Sequence, residues 1–120
     1  MISLKNLVLE TYELKERRVG TTKITALLEK VSPTFSAPEG KEITELLSKL
    51  LEGVTKVDEM QYSQLTHDKF EKIYKEEVDG VARQMIEALN KMLVKPSKKL
   101  DTAGVQMIVK ALSEIYLINS

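Results

Sequence analysis

The stretch from Thr66 to Val94 constrains this 120-residue chain more than any other part of it. Phe70, Ile73, Tyr74, Val78, Val81, Ala82, Met85, Ile86, Leu89, Met92 and Leu93 recur at helical spacing. On a wheel of 3.6 residues per turn they cover an arc of roughly 200°. A helix that docks on one neighbour needs only about half of that. The spacing therefore predicts a long amphipathic helix packed between several partners, the spine of an all-α bundle. At 1.5 Å per residue it would span roughly 42 Å. Gly80 lies inside it, at a cost of about 1 kcal/mol relative to alanine, and predicts a close helix crossing or a kink.

Four more helices complete the expected fold, a single-domain bundle of about five helices over residues 1–120. The first runs from about Leu4 to Arg18, with Ser3 as N-cap and Gly20 as its C-terminal punctuator. The second starts at Thr21 or Thr22 and ends near Val31, before Ser32-Pro33. A loop follows from Ser32 to Gly40, with Phe35 in its middle, either plugging the core or waiting for a partner. The third covers about Lys41 to Glu52, with Ile43, Leu46, Leu47, Leu50 and Leu51 on one face and Gly53 at C′. Val54 to Leu65 has no clean period. The fifth runs from about Thr102 to Ile118, capped by Asp101 or Thr102. Its main face carries Val105, Ile108, Val109, Leu112, Ile115 and Tyr116, and Met107, Ala111 and Ile118 add a second flank. A helix this apolar predicts either a place in the middle of the bundle or an interface with another chain.

Composition narrows the function classes. Lysine plus arginine and aspartate plus glutamate stand at 18 each, so no arm carries the basic excess of a dedicated non-specific DNA binder. Only Arg17, Arg18 and Arg83 are arginines, and arginine is the residue favoured at phosphate forks. There is no cysteine, which excludes disulfides, thiolate metal sites and a cysteine nucleophile. Cysteine-free composition and the absence of a signal-peptide pattern or a membrane-length apolar run predict a cytoplasmic protein. The lysine-rich bias fits an AT-rich coding sequence, such as a bacteriophage gene.

No constellation in the chain carries an obvious reaction. His67 is the only histidine, and adjacent Asp68 does not face it on a helix. Glu71, Glu76, Glu77 and Asp79 alternate with Lys69, Lys72, Lys75 and Arg83, the pattern of a solvated face with Glu71–Lys75 and Asp79–Arg83 pairs. Glu10, Glu13 and Glu16 with Lys15, Arg17 and Arg18 read the same way. The connection between the second and third helices is too long for a helix-turn-helix, and the third lacks base-reading side chains. Gly-rich phosphate loops, GxSxG and HExxH are absent from the sequence. Gly104, in the first turn of the last helix, predicts a tight packing contact.

These observations point to a non-enzymatic interaction or assembly factor, without cofactor or metal, acting on a protein partner or on a second copy of itself. The residues expected to meet the partner are Phe35, Met107, Ala111, Tyr116 and Ile118, since aromatics and methionine are favoured at such contacts. The alternative is a nucleic-acid-associated regulator using Lys91, Lys95, Lys98 and Lys99, the densest basic cluster. The helix dipole also favours cations at that helix end.

Overall fold

A computed structural model of the chain describes the backbone of residues 4–60 and 72–117, and the side chains of residues 16–59 and 72–117. Among the described residues the chain forms four helices and no strand. Helix α1 is Leu4–Val31, followed by a 3-10 turn at Ser32–Thr34, and α2 is Ala37–Met60. Helix α3 spans residues 72–94, with a π turn at Lys75–Asp79 leading into Gly80–Val94. Helix α4 is Thr102–Tyr116. The all-α bundle is as expected, but with four helices instead of five.

The lower count comes from Gly20, and a second expected stop, at Gly53, also fails. The expected stop at Gly20 does not occur, and the first two predicted helices are one. Gly20 has an ordinary helical backbone and is buried, with Ile115 packed against its Cα. The threonines expected to cap a new helix are absorbed into the continuing one. Thr21 and Thr22 donate to the carbonyls of Arg17 and Arg18, four residues back, at 2.8 and 3.1 Å. Gly53 likewise ends nothing. It lies inside α2, which continues to Met60 and buries Val54 and Val57 of the segment without a clear period.

The start of α2 is also earlier than expected. Ser36-Ala37-Pro38-Glu39 is a capping-box spacing, and Glu39 Oε2 accepts from the Ser36 N–H at 3.3 Å. Pro38 sits in the first turn, where its missing N–H costs nothing. The loop thus shrinks to a short 3-10 connection, and Phe35 lies half-buried against the core, the plugging role.

Helices α1 and α3 each pack on both α2 and α4, so the four form a closed ring around one core. Val31 meets Gly104 and Gly20 meets Ile115, so α1 and α4 run antiparallel; Gly53 meets Glu77 while Glu42 and Glu45 share a groove with Glu87 and Lys91, so α2 and α3 do too. The result is an up-down-up-down rod of 53 × 22 × 19 Å. The wide apolar arc of α3 is real, with Tyr74, Val78, Val81, Ala82, Met85, Ala88, Leu89 and Met92 buried. It faces α2 on one side and α4 on the other. The expected central spine is therefore one wall among four. Ile24 and Leu28 from α1, Leu50 from α2, and Ile108 and Leu112 from α4 fill the middle. The expected start of the spine, from Thr66 to Glu71, lies outside the described residues, as do His67 and Asp68. Among the described residues no helix is long and apolar enough to cross a membrane.

Candidate functional site

Three features of the bundle bring polar or exposed apolar side chains together. The first is a buried polar knot that joins α1, α3 and α4. Tyr116 donates its hydroxyl to the Arg17 carbonyl at 3.0 Å, and Tyr74 donates to the Tyr116 carbonyl at 3.2 Å. The Arg17 guanidinium lies 4.4 Å from the centroid of the Tyr74 ring, and its Nε donates to the Ile115 carbonyl at 3.5 Å. Burial, reinforced by the neighbouring Tyr74, pushes the Tyr116 hydroxyl above its ordinary range, and Arg17 opposes that shift. A phenol held protonated and donating to a main-chain carbonyl is a tether, not an acid catalyst. Both rings are closed to solvent, so the knot is a structural lock.

The second feature is a polar groove between α2 and α3, of about 290 Å³. Glu42, Glu45 and Lys49 line it on one side, and Gln84, Glu87 and Lys91 on the other. Interleaved signs suit a solvated seam between antiparallel helices.

The third is an open groove of about 430 Å³ along the outer side of α3, reaching the end of α4. Ile86, Asn90 and Val94, four residues apart, form its length. Leu117 closes one side, and Arg83, Glu87 and Lys91 flank it. Val94 is 78% exposed, the most exposed large apolar side chain among the described residues. Arg83 is itself held by Asp79 at 3.5 Å, the i,i+4 pair expected from the sequence. The other oxygen of Asp79 is buried without a hydrogen-bond partner.

The residues expected to meet a partner do not form one surface. Met107 is 57% exposed on α4. Ala111 is half-buried against the core, and Phe35 is packed on the core at the connection of α1 and α2. Tyr116 is a correction: it is fully buried, and its hydroxyl is taken by Arg17, so it offers no surface to a partner. Its apolar ring fits the core face that the helical spacing also assigned to it. Ile118 lies outside the described residues. Lys91, Lys95, Lys98 and Lys99 are all exposed, at the end of α3 and in the connection to α4. The groove was missed because Ile86 fits the core period and Val94 looks like a helix end. The Ile86–Asn90–Val94 spacing was the available signal. Among the described residues, no three metal-ligating side chains converge. No protein-family model matches the chain, and neither does any curated protein or solved structure.

Proposed function

We propose that the protein is a non-catalytic binding module, a small helical accessory or assembly factor that docks a partner protein along the outer groove of α3. The carrying observation is the groove formed by half-buried Ile86 and Leu117 with exposed Asn90 and Val94, flanked by Arg83, Glu87 and Lys91. Helix-in-groove recognition uses such i, i+4, i+8 spacing. Covering Val94 would recover about 1.5 kcal/mol of apolar burial, a natural anchor for an interface. The mixed charges of Arg83, Glu87 and Lys91 along the groove favour a partner helix with residues of both signs beside its apolar stripe. The cysteine-free, lysine-rich composition supports placing such a factor in the cytoplasm, and a phage source fits the same bias.

Val94→Asp is the test, because an exposed position tolerates the change without loss of fold. Solution mass by light scattering and capture from native extract are measured for wild type, Val94→Asp and Met107→Asp. Self-association or a captured protein that is lost in Val94→Asp and kept in Met107→Asp supports the groove. A species equally present in all three, or a monomer that captures nothing, overturns it.

A further inference from the structure

We propose that the end of the bundle bearing the α3–α4 connection is a second binding site, for the phosphate backbone of nucleic acid. The chain as a whole is neutral, but its charges are not evenly placed. From Asn90 to Leu100 there are four lysines, Lys91, Lys95, Lys98 and Lys99, and no carboxylate. The fold adds to this run. Val31 packs on Gly104, so the C-terminal turn of α1, with Lys30, lies at the same end as the start of α4. The antiparallel arrangement brings the start of α2, with Lys41, there as well. All six lysines are exposed.

The carboxylates at this end are Glu29, Glu39, Glu42 and Asp101. Two of them are tied to helix starts: Glu39 accepts from the Ser36 N–H, and Asp101 Oδ1 accepts from the Gly104 N–H at 3.0 Å. Their charge is set against the positive ends of α2 and α4. Glu42 lines the groove between α2 and α3 together with Glu45, Glu87 and Lys91, so Lys91 is balanced there, and Lys95, Lys98 and Lys99 of the connection are the lysines with no carboxylate among them along the chain.

The chemistry of this end favours nucleic acid over an acidic protein. Protein interfaces are built around apolar or aromatic anchors; Val94 at the edge of this end belongs to the groove on α3, and the two connections themselves offer lysines, hydroxyls and prolines, with Phe35 packed on the core. Phosphate contacts are made by Lys, Ser and Thr side chains. Ser32, Ser36, Ser97 and Thr102 are exposed among the lysines. Lysine is a point charge without the planar fork that reads guanine, so the binding would be independent of sequence.

The experiment is a titration of a fluorescent mixed-sequence duplex DNA at low and at physiological salt, using the whole chain. The expected result is weak binding that falls with salt at a log–log slope of about −3 to −4, the value for some four phosphates engaged. Lys95→Glu, Lys98→Glu and Lys99→Glu combined should weaken it at least about tenfold at low salt. Lys23→Glu with Lys110→Glu, the same kind of change on exposed lysines elsewhere, should leave most of it intact. Circular dichroism confirms that both variants remain folded. Absence of binding at low salt, or an equal loss in both variants, overturns the proposal. So does polyglutamate that competes for the chain as well as it binds DNA directly, which would make this end a site for acidic protein.

Discussion

Gly53 presents its Cα to the main-chain carbonyl of Glu77, so closely that a β-carbon there would overlap the carbonyl oxygen and lie 2.8 Å from its carbon. Glu77 belongs to the π turn of α3, so this close approach in the α2–α3 seam is made where α3 departs from α-helical winding. Backbone meets backbone here, and neither side can turn away.

Gly53→Ala should therefore destabilise the bundle by about 1–3 kcal/mol, despite the better helix propensity of alanine. Urea unfolding followed by circular dichroism would show it as a lower midpoint with an unchanged slope. A variant as stable as wild type would mean that the seam opens freely at this point.

Gly20 is a milder case of the same geometry. Its missing Cβ would lie 2.6 Å from the Cδ1, 2.9 Å from the Cγ2 and 3.2 Å from the Cγ1 of Ile115, so it meets a side chain and not backbone, but the whole side chain must shift. Gly20→Ala should cost about 1 kcal/mol, because displacing the β-branched Ile115 side chain outweighs the gain in helix propensity. Ile115→Ala alone should cost more, and the double variant less than the two single losses added. That non-additivity, read from a double-mutant cycle, is the mark of direct contact.

The knot makes stability depend on alkaline pH. The folded-state pKa of Tyr116 is raised above the ordinary tyrosine value, so its contribution is complete below about pH 10 and is lost as pH rises beyond that. Above pH 10 the unfolded chain releases this proton first, which pulls the equilibrium towards unfolding. Tyr116→Phe should lower stability at neutral pH by about 1 kcal/mol, the worth of one buried hydrogen bond. It should also flatten the loss between pH 10 and 11 by up to about 1.4 kcal/mol per pH unit. Chemical unfolding repeated across that range compares the two chains.

Two adjacent leucines in α2 separate core from surface. Leu50 is fully buried and Leu51 is 41% exposed. Leu50→Ala should cost about 2–5 kcal/mol, and Leu51→Ala within about 1 kcal/mol, as read from denaturant midpoints.

The helical faces were legible in the sequence because periodicity reports them directly. Ile43, Leu46 and Leu50 on α2 and Val105, Ile108, Leu112 and Tyr116 on α4 are all buried as the spacing predicts. Leu51, assigned to the same face, lies at its edge. The helix count was not legible, because glycine has two uses that look alike in one dimension. At a helix end it releases the chain into a turn, and in a helix wall it lets another element come close. Only the partner distinguishes them. That partner is Ile115 for Gly20 and Glu77 for Gly53, and both are remote in the chain. Gly104 was read correctly as a packing position because it sits in a first turn, where a stop makes no sense. For the same reason the groove on α3 was hidden: its last wall, Leu117, is supplied by a different helix end.

The bond from Tyr116 to Arg17 joins residues 99 apart, across most of the described chain. Helix α4 is the wall that closes the ring, since it packs on both α1 and α3. A chain in which α4 is undocked leaves the core around Ile24, Met85 and Leu89 open on one side. Such a species is the one most prone to aggregate, and its lifetime is set by how fast the last turn of α4 finds Arg17.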